Sequence, residues 1–173
     1  MSKKRVSFHT LGCKLNFSES STFARQFEEG GYERVESSAP TDVAVINSCS
    51  VTEHADKKCR NIIRKIHRRN PDAIIAVTGC YAQLKPEVIA AIEGVDIVLG
   101  NNDKGDLYRK VAELGAKGTR QEVTSCTTEE ITRFFAAFSS GDRTRAFLKV
   151  QDGCDYCCSY CTIHNARGSS RNM

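Results

Sequence analysis

Asp42-Val43-Ala44-Val45-Ile46-Asn47 and Ala73-Ile74-Ile75-Ala76-Val77-Thr78 decide the fold. Each is a nearly continuous apolar run, the pattern of a strand buried on both faces, as in a parallel sheet. The first ends at Ser48-Cys49 and the second at Gly79-Cys80. Upstream, residues 5–11 read as another strand, ending at Gly12-Cys13. Asn16, with Glu19 three residues later, resembles an N-cap and its capping-box partner, which predicts a helix running to Gly30-Gly31. Ser50 and Glu53 make a second such box, opening a helix to about Asn70, where Pro71 marks its end. Downstream, Pro86 suits the first turn of a helix over 87–93. Residues 95–99 are a fourth strand, and Asp103 starts a helix to about Leu114. Strand–helix alternation with such strands means a doubly wound parallel α/β sheet, flavodoxin- or Rossmann-like, over about residues 1–116. Residues 117–144 read as a connector, with Ile131-Thr132-Arg133-Phe134-Phe135 a short strand or helical turn inside it. Residues 145–151 read as a new strand that feeds directly into a dense cysteine run and opens a second segment, 145–173.

The bulk numbers narrow the chemistry. The chain has 173 residues, 40% hydrophobic and 27% charged. That is enough for one domain with a real core and a short appendage. No apolar run approaches the ~20 residues of a membrane helix. Met1-Ser2-Lys3-Lys4-Arg5 is basic, but the apolar stretch after it is too short and mixed for a signal sequence. The expectation is a cytoplasmic protein without a membrane partner. Nine cysteines is a high and odd number. In the cytosol such a count points to metal, cluster or redox chemistry rather than disulfides.

The run Cys154-Asp155-Tyr156-Cys157-Cys158-Ser159-Tyr160-Cys161 contains C-x3-C-x2-C on Cys154, Cys158 and Cys161. Three thiolates so close together can hold three irons of a [4Fe–4S] cluster, leaving the fourth without a protein ligand. An open iron can bind S-adenosylmethionine, whose carbon–sulfur bond breaks on one-electron reduction to give a deoxyadenosyl radical. A zinc knot is the competing reading, but structural zinc usually wants a distant second Cys pair. Cys154, Cys157 and Cys161 also fit, as C-x2-C-x3-C; Cys158 is favoured and Cys157 taken as a bystander.

Cys13, Cys49 and Cys80 form a second pattern. Each falls just past a strand end, and in a parallel sheet all three ends lie on the edge where open α/β folds bind ligands. The helices that follow would aim N–H groups and positive dipole ends there, lowering thiol pKa and favouring an anionic cluster. The alternative is three buried small hydrophobes. Cys59 falls in an apolar stripe with Ala55, Ile62, Ile63 and Ile66 and reads as core. Cys126 has no partner pattern.

Residues 56–69 hold seven Lys/Arg against one Asp, a local charge of +6 in a chain whose net charge is +4. Lys57, Lys58, Arg60, Arg64, Lys65, Arg68 and Arg69 could meet RNA phosphates without reading sequence. A solvated helix face is the other reading. His9, His54, His67 and His164 show no ligand spacing and read as structural or surface residues.

Four ordered stretches together resemble the methylthiotransferases of the radical S-adenosylmethionine superfamily. They are Leu11-Gly12-Cys13-Lys14-Leu15-Asn16 with Glu19, Asn47-Ser48-Cys49-Ser50-Val51-Thr52, Thr78-Gly79-Cys80-Tyr81-Ala82-Gln83, and Gly153-Cys154 through Cys161 followed by Ala166-Arg167-Gly168. The resemblance implies two [4Fe–4S] clusters. One on Cys13, Cys49 and Cys80 would handle the inserted sulfur; one on Cys154, Cys158 and Cys161 would bind S-adenosylmethionine, with Tyr160 near the adenine. It assigns no catalytic residue. Leu-Gly-Cys-Lys-Leu-Asn looks most like the branch that inserts a methylthio group at C2 of threonylcarbamoyladenosine beside the tRNA anticodon. The branches acting on isopentenyladenosine or on a ribosomal-protein aspartate are alternatives, as is a non-catalytic iron–sulfur or RNA-binding module. The resemblance implies a tRNA partner and no DNA, and leaves the electron and sulfur donors unspecified. His164 stands where the family usually has proline after Thr-Ile. The chain ends 12 residues past Cys161. A radical α/β barrel needs on the order of 200 residues more. The expectation is therefore a fragment carrying only the first strand and cluster loop of a truncated barrel, inactive alone.

Overall fold

Side chains that alternate along β3 (Val43–Ser48) and β4 (Ile74–Gly79) go to opposite sides of a sheet, and every one of them is buried. A computed structural model of the protein describes residues 3–50, 52–118, 121–141 and 144–172. In it Val43, Val45, Ile74 and Ala76 enter one apolar core and Ala44, Ile46, Ile75 and Val77 the other. The first core is closed by α1 (Lys14–Glu29) and α5 (Leu107–Leu114) through Phe23, Phe27, Leu107 and Val111. The second is closed by α2 (Glu53–Arg69), α3 (Cys80–Leu84) and α4 (Pro86–Ala90) through Cys59, Ile63, Tyr81 and Ile89.

The sheet has six strands: β1 (Arg5–Thr10), β2 (Glu33–Val35), β3, β4, β5 (Val95–Leu99) and β6 (Glu122–Thr124), in the order β2-β1-β3-β4-β5-β6. All neighbours pair in parallel. The doubly wound α/β expectation is met. The chain reverses its direction of travel across the sheet between β1 and β3, the switch point where open α/β sheets bind ligands.

Several local readings are corrected. β2 escaped the sequence reading because three residues, two of them exposed, carry no apolar pattern. β6 lies in the stretch read as connector, where pairing with β5 and not its own sequence makes it a strand. Cys13, not Asn16, caps α1, so Asn16 and Glu19 are inside the helix and form no capping box. Thr52, not Ser50, caps α2, its hydroxyl accepting from the Ala55 N–H at 3.1 Å; Ser50 turns instead to Asp56 at 2.7 Å. A 3-10 turn over Lys104–Asp106 precedes α5. The strand read over 145–151 shortens to β8 (Phe147–Leu148), antiparallel to β7 (Phe138–Ser139). Residues 131–135 take no regular structure, and a 3-10 turn sits just before them at Thr128–Glu130. After the cysteine run comes α6 (Ile163–Arg167). Val51, within one of the four family-like stretches, lies outside the described residues.

Candidate metal centre

The strand register puts three corners side by side. Thr10 pairs with Asn47, and Ser48 with Gly79, so Cys13, Cys49 and Cys80 leave adjacent strands at one edge. Two corners need glycine. Gly12 has φ +96°, and a Cβ there would lie 2.8 Å from Cys49 Cβ and 2.9 Å from its Sγ. Gly79 has φ +97°, and a Cβ there would lie 2.4 Å from the Ser48 carbonyl oxygen. Only glycine takes this backbone without strain and leaves the space. Ser48 itself is buried, its hydroxyl donating to the Thr78 carbonyl at 2.5 Å and accepting from the Ala82 N–H at 3.3 Å.

Asn16 fastens the rim from α1. Its amide donates to the Leu11 carbonyl at 2.7 Å and the Ser48 carbonyl at 3.0 Å. The Cys13 thiol stands 3.8 Å from Asn16 Oδ1. Gln83 does similar work beyond Cys80, donating to the Cys126 carbonyl at 2.7 Å and accepting from the Asn101 N–H at 2.7 Å. Cys13 is exposed, Cys80 half-buried and Cys49 buried. Among the described residues no three His, Cys, Asp or Glu side chains stand as a ready-made metal-coordinating group. The rim is a convergence of strand ends.

The helix-dipole expectation fails at Cys80. Burial pushes its thiol up, and the positive charges of Arg167 and Lys104 oppose this without reversing it. Cys59 behaves as read: it is wholly buried in the core, and burial pushes its thiol up to about 12. His9 is also structural, burial pushing it down to about 4.

Cys154, Cys157, Cys158 and Cys161 lie on a loop with no helix or strand. Cys154 and Cys161 are half-buried, while Cys157 and Cys158 are exposed. The loop's two ends are tied down. Asp152 bridges to Arg171 in antiparallel fashion, and the Cys154 N–H donates to the Gly168 carbonyl at 3.0 Å. Gly153, at φ +76°, lies so near the Ser169 backbone that a Cβ would come within 2.2 Å of its carbonyl oxygen. His164 Nδ1 donates to the Cys154 carbonyl at 2.6 Å, so the residue in place of the family's proline clasps the loop. Tyr160 is 89% exposed and touches no site residue by ring contact or hydrogen bond among the described residues.

A set of residues that the sequence reading missed joins the two cysteine regions. Glu19 on α1, Lys104 after β5, and Lys149, Asp152 and Arg167 from the C-terminal segment form one buried ionic knot. Lys104 Nζ is 2.7 Å from Glu19 and 3.1 Å from Asp152. Lys149 Nζ is 2.8 Å from Glu19 and 2.6 Å from Asp152. Arg167 lies 3.1 Å from Glu19, 2.7 Å from Asp152 and 2.6 Å from Asn16 Oδ1. Its positive charge also acts on the Cys80 thiol, opposing the upward push of burial. Burial works against ionising Glu19, but Arg167, Lys104 and Lys149 outweigh it and hold the carboxyl well below the usual range. The only signals in the sequence were Glu19 and Arg167 as members of the family-like motifs; Lys104, Lys149 and Asp152 carried none.

The chain is similar to named proteins over nearly its whole length. A Bacillus subtilis (strain 168) protein named threonylcarbamoyladenosine tRNA methylthiotransferase MtaB is 44% identical over 172 residues, covering 96% of this chain and 37% of the relative. One of the same name from Aquifex aeolicus (strain VF5) is 38% identical over 170 residues, covering 98% and 42%. A Chloroherpeton thalassium (strain ATCC 35110 / GB-78) protein named tRNA-2-methylthio-N(6)-dimethylallyladenosine synthase is 29% identical over 177 residues, covering 98% and 38%. The chain thus spans about two fifths of the length of the relatives it matches. Residues 5–100, the part that builds five of the six strands and the three-cysteine rim, match the family model described as uncharacterized protein family UPF0004, and the chain belongs to that family.

Proposed function

We propose that this chain is the front part of a radical S-adenosylmethionine methylthiotransferase that inserts a methylthio group at C2 of threonylcarbamoyladenosine beside the tRNA anticodon, in the cytoplasm. The observation that carries the reading is the rim: three cysteines on adjacent strand ends at the switch point, two of them on glycine corners. The relatives support the branch, since those named for threonylcarbamoyladenosine are 34–44% identical and those named for dimethylallyladenosine 27–29%.

The donor set suits a [4Fe–4S] cluster at each cysteine group. Thiolates are the usual ligands, the glycine corners let the strand ends approach closely, and the cationic knot favours an anionic occupant. Cys13, Cys49 and Cys80 would hold one, and Cys154, Cys158 and Cys161 the other. Bound there, such clusters supply one-electron cleavage of S-adenosylmethionine and a docking point for the inserted sulfur. Asn16 and Ser48 fix the strand ends from which the rim thiols project. His164 and Arg171 close the second loop, and exposed Tyr160 is free to turn toward an adenine. Residues 145–173 are the opening of the radical domain. Away from the cysteines, exposed Lys57, Lys58, Arg64, Lys65, Arg68 and Arg69 on α2 offer phosphate contacts to tRNA.

Anaerobic reconstitution with iron and sulfide counting tests the reading. Roughly eight irons per chain, falling by about half in Cys13→Ala and in Cys158→Ala, is the expected result. Zinc in place of iron overturns it.

A further inference from the structure

The ionic knot is unbalanced. Three cationic side chains, Lys104, Lys149 and Arg167, face two carboxylates, Glu19 and Asp152, and each of the five side chains is at most 4% exposed. Arg171, 10% exposed and 3.7 Å from Asp152, adds positive charge at the margin. A buried cation without a counter-charge is costly, so the surplus calls for an anion close by. Among the described residues the knot's polar neighbours are neutral: Asn16 and Asn101 at its edge. Arg167 is the member that reaches toward the rim: one terminal nitrogen donates to Glu19 and Asp152, and the other to Asn16 Oδ1 at 2.6 Å and, at 3.5 Å, to Glu19 Oε2; Asn16 Oδ1 in turn stands 3.8 Å from the Cys13 sulfur. Its guanidinium therefore lies between the carboxylates and the cysteine rim.

Resting on the metal-centre reading above, we propose that the surplus positive charge of this knot is the counter-charge for an anionic iron–sulfur group on Cys13, Cys49 and Cys80, and that Arg167 is the positioning residue that delivers it. Arg167 belongs to the segment that carries the second cysteine loop, and Asp152 precedes that loop's Gly153-Cys154 corner. The same contacts that neutralise the rim group thereby dock the second loop beside it. A loaded rim holds Arg167 in place, and Arg167 holds the loop.

The test uses the chain with Cys154→Ala, Cys158→Ala and Cys161→Ala, so that only the rim group contributes. The parent, Arg167→Gln, Arg167→Lys and Glu19→Gln are reconstituted anaerobically with ferrous iron and sulfide. Iron retained after desalting and the midpoint potential from a redox titration are read. Losing a nearby positive charge disfavours adding an electron, and losing a negative one favours it. Arg167→Gln is therefore expected to retain less iron at a more negative potential, Glu19→Gln to shift the potential positive, and Arg167→Lys to stay near the parent. A merely structural role moves both charge variants the same way. Should Arg167→Gln not fold, the positive shift of Glu19→Gln and the near-parent potential of Arg167→Lys still decide. An iron-loaded parent whose potential is indifferent to these charges, or shifts in one direction for all, overturns the proposal alone. A parent that takes up no iron, or keeps it all in Cys13→Ala, overturns the metal-centre reading and the proposal with it.

Discussion

Gly12 shows how little freedom a single position has. Its positive φ and the 2.9 Å that a Cβ would leave to Cys49 Sγ bring two penalties together, strained backbone and a clash at the rim. Gly12→Ala is expected to cost about 1–3 kcal/mol, as for other non-glycine residues forced into such regions, and to lower iron uptake at the rim; urea titration and iron counting check the two effects. Cys59 gives the opposite kind of prediction. Its thiol, pushed up to about 12 by burial, stays protonated at neutral pH and is shut in the core. Iodoacetamide on the native, iron-free chain is expected to label exposed Cys157 and Cys158 and to spare Cys59, read by peptide mass. His9, pushed down to about 4 by burial, makes stability depend on pH. Its folded value lies below the unfolded value of about 6.5, so the unfolded chain binds the proton first. The neutral ring's contribution is complete above about pH 6.5 and is lost as pH falls from there toward 4, on the order of 1–3 kcal/mol in all. Denaturation midpoints are expected to be lower at pH 5 than at pH 7.5, and to differ less in His9→Gln.

At the scale of the element, α2 does two jobs on two faces. Cys59, Ile63 and Ile66 bury one face against the sheet, while Lys57, Arg64, Lys65 and Arg68 stand exposed on the others. Its start depends on Thr52, and Thr52→Ala is expected to cost about 1 kcal/mol, whereas Ser50→Ala loosens the Asp56 contact instead. Its basic face predicts salt-dependent affinity. Reversing Arg64, Lys65 and Arg68 to Glu should weaken tRNA binding across all sequences and flatten the salt slope by about 1 for each phosphate no longer neutralised; filter binding at several salt concentrations measures both. An unchanged slope would leave α2 a solvated face. β6 makes the complementary point: Glu122–Thr124 has no strand signature, and the edge of β5 orders it.

The whole molecule is closed by contacts between its two ends. Lys149 and Glu19 are 130 residues apart in sequence and 2.8 Å apart in space. Glu19→Ala would leave three buried cations facing one carboxylate, and removing one partner of a buried network costs about 3–5 kcal/mol. The depressed Glu19 carboxyl adds a pH sense to this closure. Its contribution is present above the unfolded value of about 4.3 and is lost as pH falls below it toward the folded one. What the sequence by itself determined is local and periodic: the buried β3 and β4 runs, the glycine–cysteine corners, the apolar stripe of α2, and the spacing of the last four cysteines. Each is written in neighbouring residues, so pattern alone exposes it. What only the tertiary structure decided is which distant groups meet. Asn16 and Glu19 have the spacing of a capping box, but burial against the C-terminal segment turned them to the rim and to Lys104, Lys149 and Arg167. Charge pairing across a folded interface has no period, so no stretch of sequence announces it.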